Sequence, residues 1–235
     1  MTTVSITASD GSGTFSGYLA LPTNTATATG AGILVIQEIF GVNQVMRDLC
    51  DGFADQGYVA LCPDLFWRQE PGVDITDKSD EEWQKAFSLY QGFDEAKGVD
   101  DLKAALTVLR GHAACNGKVG SVGYCLGGKL AYLMATRSDA DCNVGYYGVG
   151  IQDALAERSS ITNPLMLHMA GLDQFVPAEA QESIAEAVAA NDMVTLFRYP
   201  DQDHAFARIG GAHYDQAAAH LADGRTAEFF ASQLG

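Results

Sequence analysis

The chain is poor in positive charge. Its 235 residues carry 14 Lys and Arg against 30 Asp and Glu, a formal net charge of −16. Phosphate contacts need clustered Lys and Arg, so this balance argues against a nucleic-acid partner. Repulsion from anionic lipid argues equally against a membrane surface. Long apolar runs are also lacking: the longest lies around "GILVI", far short of the roughly 20 residues of a membrane-spanning helix. The N-terminal "MTTVSITASDGSGT" has neither the basic stretch nor the apolar core of a secretory signal. No C-x-x-C occurs, and the cysteines, Cys50, Cys62, Cys115, Cys125 and Cys142, are odd in number. Without a secretion signal this predicts reduced thiols in a cytoplasm. The nearest approach to a metal motif, "HAAC" from His112 to Cys115, lacks a second ligand pair, so no metal is expected. Two glycine sets, Gly11, Gly13, Gly17 and Gly117, Gly120, Gly123, miss the G-x-G-x-x-G spacing of a dinucleotide site, and no organic cofactor is expected either.

What remains is an ordinary globular composition, 47% hydrophobic and 19% charged, in a chain long enough to bury a core without disulfides. "VSITASDGSGTFSGYLALP" reads as a hairpin turning at Asp10-Gly11. "NTATATG" reads as a polar loop. Short apolar runs then alternate with amphipathic segments. "GILVIQE", "YVALCPD", "KVGSVGY", "NVGYYGVG", "NPLMLHMAG" and "VTLFRYP" are strand-like. "NQVMRDLCDGFADQG", "SDEEWQKAFSLY", "DEAKGVDDLKAALTVLRGH", "LGGKLAYLMATR", "PAEAQESIAEAVAAND" and "DQAAAHLADGRTAEFFASQL" are helical. Ser79 caps the second helix, and Pro177 is placed at the first position of the fifth. Leu65 to Ile75 has no period and reads as a long excursion. Strand–helix alternation predicts an α/β fold with a mostly parallel sheet flanked by helices. No repeat or composition break interrupts residues 1–235, so a single domain is expected.

Ligands of such sheets bind beyond the carboxyl ends of the strands. Four reactive residues stand there: Glu38 after "ILVIQ", Cys125 after "KVGSVGY", Asp173 after "LMLHMAG" and His204 after "LFRYP". "GYCLG" fits G-x-S-x-G with Cys for Ser. Gly123 and Gly127 give the room that a sharp strand-to-helix turn needs, and a helix N-terminus favours both a thiolate and a developing oxyanion. Alone, Cys125 could equally be a small core residue. Followed by Asp173 and then His204, it has the chain order nucleophile, acid, histidine, which points to a triad. His168 lies inside an apolar strand and reads as a core histidine. His112, His213 and His220 lack a strand-end setting. Glu38 is either a solvated strand end or a carboxylate that tunes the thiol. The amides of Ile39 and Leu126 are candidate oxyanion donors.

The segments "QEIFGVN", "CPDLF", "NGKVGSVGYCLGG", "VGYYGVG", "GLDQFVP" and "DHAFAR" together resemble the dienelactone hydrolase (carboxymethylenebutenolidase) family from about Gly32 to the C-terminus. The resemblance implies an α/β-hydrolase fold without a large lid, a Cys125–His204–Asp173 triad, and an oxyanion hole of Ile39 and Leu126. It implies that Glu38 restrains the resting thiol until substrate displaces it, and that Arg208 holds a substrate carboxylate. A second arginine and a tyrosine of the family's site are replaced here by Trp83 and Phe87. Lys85, two residues along, falls on a different helix face.

The expectation is a cytoplasmic, monomeric, cysteine-dependent hydrolase of small lactones or esters, working through an acyl-thioester without metal or cofactor. Its rivals are a carboxylesterase with a less anionic substrate and a hydrolase-fold binding protein with a vestigial triad.

Overall fold

The computed structural model describes residues 2–23 and 29–235; most of the expected "NTATATG" loop lies outside them. The sequence pattern produces eight strands in a mostly parallel sheet flanked by helices, an α/β-hydrolase fold. The chain forms two compact units, Met1–Val119 and Gly120–Gly235.

In the first unit β1 (Thr2–Thr7) and β2 (Thr14–Ala20) form the expected antiparallel hairpin, with Ile6 opposite Phe15. β2 pairs antiparallel with β4 (Val59–Pro63), and β4 pairs parallel with β3 (Gly30–Ile36). β3 is apolar at consecutive positions because it is covered on both faces: Ile33, Leu34, Val35 and Ile36 are all fully buried. The helices begin on side-chain caps that satisfy otherwise orphaned N–H groups. Asn43 caps α1 (Gln44–Asp55), Ser79 caps α2 (Asp80–Gln91), and Asp94 caps α3 (Glu95–Arg110). The Leu65–Ile75 excursion is pinned rather than free. Asp64 accepts from the amides of Phe66 at 3.1 Å and Gly72 at 2.7 Å. Arg68 forms a two-pronged pair with the buried Asp101, which also accepts from the Trp67 indole at 2.8 Å.

β5 (Cys115–Tyr124) runs into the second unit, where it lies parallel to β6 (Cys142–Tyr146). β7 (Leu165–Ala170) and β8 (Val194–Tyr199) continue the parallel order. In register, Tyr124 faces Tyr146, Tyr146 faces His168, and Ala170 faces Tyr199. The carboxyl ends are therefore level, and the turns that follow them emerge side by side. α4 (Leu126–Arg137), α5 (Ala178–Val188) and α6 (Gln216–Leu234) supply the helices. Two details differ from expectation. Pro177 is the cap residue of α5, with extended ψ of 158°, one place before the helix proper. A 3-10 helix at Ile151–Ser160 follows β6, where the sequence has no apolar period to announce it.

Candidate active site

Cys125 stands between β5 and α4 at φ 57°, ψ −115°, a conformation that side chains rarely adopt. The surrounding contacts over-determine it. Its amide donates to the Tyr146 carbonyl at 3.1 Å, and its own carbonyl accepts from Gly128 N at 3.0 Å. The flanking glycines are required by space. A Cβ on Gly123 would lie 1.9 Å from the Gly127 carbonyl oxygen, and one on Gly128 would lie 2.3 Å from that of Tyr146. No side chain caps α4 at Cys125, and Leu126 opens the helix, where amide N–H groups have no partner one turn earlier. That end carries partial positive charge, which suits a thiolate and a developing oxyanion.

Asp173 and His204 follow β7 and β8 and are both buried. One Asp173 carboxylate oxygen accepts from the Phe175 amide at 2.8 Å, and the other meets His204 Nδ1 at 2.7 Å. An ionised carboxylate only accepts, so Nδ1 carries a proton and Nε2 is left for exchange with the Cys125 sulfur. Burial opposes charge on this imidazole, but Cys125 and Asp173 together outweigh it and push His204 up to about 10. The arrangement holds a proton between thiol and imidazole, which is the state a sulfur nucleophile needs.

The structure adds residues that the sequence pattern did not disclose. Among the described residues, three other than glycine have positive φ: Cys125, Tyr147 at 37° and Ala205 at 62°. Such positions cost about 1–3 kcal/mol each and collect at functional sites. Tyr147 and Phe175 pack edge-on against His204, with ring centroids 5.1 and 4.9 Å away, and so fix the plane of the imidazole. Asp203 accepts from the His204 amide at 2.7 Å. Backbone strain leaves no mark on composition or periodicity, and an aromatic beside a histidine reads in sequence as core. Arg208 lies in the turn after His204, its amide bonded to the Ala205 carbonyl at 2.9 Å.

A model of the dienelactone hydrolase family matches residues 15–234. The chain belongs to this family. A relative in Azospirillum brasilense is 54% identical over the whole of both chains. The carboxymethylenebutenolidase of Pseudomonas putida is 42% identical, covering 97% of this chain and 95% of its own. The fold agrees with that of a dienelactone hydrolase from Anabaena variabilis, at 18% identity and TM-score 0.71, over 100% of this chain and 98% of the other. It also agrees with that of the dienelactone hydrolase-like promiscuous phosphotriesterase P91 from metagenomic libraries, at 20% identity and TM-score 0.82, over 100% and 99%. The protein is a lactone or ester hydrolase.

The remaining predicted residues of this dienelactone hydrolase family member lie in the first unit. Glu38 and Ile39 follow β3 and are both buried. Phe40, next along, receives the edge of Trp83 at 5.1 Å, and Trp83 stacks on Phe87 at 5.4 Å. α2 thus lays an aromatic pair beside the turn that carries Glu38 and Ile39. The indole N–H of Trp83 is not available to a substrate: it donates to the Asp77 carbonyl at 3.1 Å. Lys85 pairs with Glu70 at 2.6 Å. At "HAAC", His112 Nδ1 accepts from the Ala114 amide at 3.2 Å. Among the described residues no group of three or more His, Cys, Asp or Glu could hold a metal ion, and no helix is long and apolar enough to cross a membrane.

Proposed function

We propose that the protein opens small lactones through a Cys125 nucleophile, His204 as general base and Asp173 as the carboxylate that holds His204. The observation that carries this reading is the 2.7 Å contact between buried Asp173 and His204 Nδ1, with Cys125 on its strained turn also favouring a proton on that imidazole. The thiolate adds to the lactone carbonyl carbon, forming a C–S bond and placing the negative charge on oxygen. The Leu126 amide, at the head of α4, donates to that oxyanion. Collapse breaks the ring C–O bond and leaves an acyl-thioester with the leaving oxygen still tethered. Water then adds to the thioester, losing its proton to the tethered enolate, or to His204 once the imidazolium has protonated that enolate. The second collapse breaks the C–S bond and returns the thiolate. The same reading gives the Ile39 amide the second oxyanion contact, Glu38 the restraint of the resting thiol, and Arg208 the substrate carboxylate.

At positions 83 and 87 the protein has stacked aromatics where the resemblance supplies an arginine and a tyrosine. With the Trp83 N–H already committed to Asp77, these two residues offer apolar surface. This favours a substrate less anionic than the usual dienelactone, or one with its carboxylate placed elsewhere. The test is a panel of lactones and aryl esters, with and without a carboxylate, assayed on wild type and Cys125→Ala. Turnover should vanish in Cys125→Ala for every substrate. Retention of half the activity would remove the cysteine mechanism. Cys125→Ser should also be severely impaired, because a hydroxyl is far harder to deprotonate than a thiol of ordinary pKa about 8.5.

A further inference from the structure

Beneath the triad lies a second polar cluster that the proposed chemistry does not use. His168 is 1% exposed on β7, with Tyr199 Oη 2.8 Å from Nδ1 and Thr226 Oγ1 3.1 Å from Nε2. Arg225 donates to the same Tyr199 oxygen at 3.0 Å. At the other end, Tyr146 Oη is 2.6 Å from Thr226 Oγ1 and donates to Asp223 at 3.0 Å.

The chemistry of the two ends sets every proton between them. Arginine only donates, so the Tyr199 oxygen accepts from it, which leaves its own hydrogen free for His168 Nδ1. His168 must then carry its proton on Nε2 and donate to Thr226. Tyr146 has one hydrogen, spent on the Asp223 carboxylate, so it accepts from Thr226. The chain therefore runs one way, Arg225 to Tyr199 to His168 to Thr226 to Tyr146 to Asp223, from a cation to an anion with no link unmet. A protonated His168 would turn the Tyr199 hydrogen away from Nδ1 and leave it without that acceptor. Consistent with this, burial, with Arg225 adding repulsion, pulls His168 down to about 3.

The three strand residues of this chain have a second job. The Tyr146 carbonyl accepts the Cys125 amide at 3.1 Å. The His168 carbonyl accepts the Tyr147 amide at 2.7 Å, and Tyr147 packs against His204. The Tyr199 carbonyl accepts the Gly171 amide at 2.8 Å, in the turn that leads to Asp173. Side chains on one side and carbonyls on the other thus join α6 to the turns that carry Cys125 and Asp173, and through the Tyr147 ring to His204. We propose that His168, as the neutral Nε2–H tautomer within this one-way chain, is a positioning residue for Cys125, Asp173 and His204. Its role rests on the triad reading above. The middle of this chain, Tyr199, His168, Thr226 and Tyr146, is buried, and it is stiff because each of these members is satisfied only when its neighbours are in place. Loss of one hydroxyl leaves a buried partner unmet, and small displacements of reacting groups are costly: about 1 Å can remove roughly 100-fold in rate.

The test begins on the resting enzyme. Nitrogen NMR of labelled protein should show His168 with the proton on Nε2 and unchanged between pH 5 and 8. An Nδ1–H tautomer or a titrating ring would overturn the chain. Thr226→Val keeps the shape and cuts the chain next to His168. We expect kcat to fall roughly tenfold or more, with KM little changed, and Thr226→Ser to restore most of it. Tyr199→Phe is the second variant, should Thr226→Val not fold, and it should lower kcat likewise. Folded protein with unaltered kcat in either variant would overturn the positioning role. An active Cys125→Ala enzyme would instead overturn the triad reading, and would leave the tautomer result standing.

Discussion

His168 and His204 are both buried imidazoles in the second unit, and their surroundings drive them in opposite directions. His168 is pulled down to about 3, burial being the main cause, and His204 is pushed up to about 10 against the effect of burial. Burial makes charge expensive at both. The difference lies in the partners. Two hydroxyls meet His168, one donating and one accepting, and a neutral ring satisfies both. A carboxylate and a thiol meet His204, and both favour a proton on the ring. The same side chain, buried in both places, is kept neutral in one and favours a proton in the other, according to whether its neighbours can carry negative charge.

The comparison breaks most sharply if His204 loses its carboxylate. Asp173→Asn keeps the shape but removes the charge and lets the side-chain amide donate to Nδ1, which selects the wrong tautomer. By analogy with serine triads, kcat should fall on the order of 10⁴-fold, and the His204 pKa should drop well below about 10. Turnover within tenfold of wild type would show that Asp173 does not hold the base.

Stability against pH separates the two rings by sign. Folded His168 stays neutral down to about 3, whereas unfolded it protonates near 6.5. Its contribution is complete above pH 6.5 and is lost as pH falls through the folded value. His204 runs the other way: its contribution is complete below pH 6.5 and is lost as pH rises through about 10. Thermal melts between pH 7 and 4 should therefore lose stability more steeply in wild type than in His168→Gln. The excess should be on the order of a few kcal/mol. Parallel curves would mean that His168 is not held neutral.

The turn after His204 also carries Arg208, and the smallest expected effect lies there. An arginine bonded to a carboxylate contributes roughly 1.5–3 kcal/mol, or about 10- to 100-fold in binding. Arg208→Ala should raise KM by that order for carboxylate-bearing lactones and scarcely alter it for a neutral aryl ester. An equal rise for both would make Arg208 a structural residue of the turn.

Strand–helix alternation made the architecture legible, because period and turn residues reflect which faces are buried. The N-terminal hairpin, the helix cap at Ser79, and the order Cys125, Asp173, His204 could all be read along the chain. The 3-10 helix after β6 and the pinned Leu65–Ile75 loop could not. Their backbone is held by single side-chain bonds, such as those of Asp64, which have no period. The Trp83 indole N–H is spent on the Asp77 carbonyl, a contact that no local pattern announces.

His168 shows where the division falls. Its place inside an apolar strand already identified a core histidine, since a hydrophobic run predicts burial whatever residue interrupts it. That run could not say what the ring would be bonded to. Tyr199 and Thr226 come from β8 and α6, brought to it by parallel register and helix packing. The sequence by itself determined which groups exist, in what order, and at which strand ends. The tertiary structure alone decided their protonation, because a pKa depends on charges and hydrogen bonds a few ångströms away in space, and those neighbours are far apart along the chain.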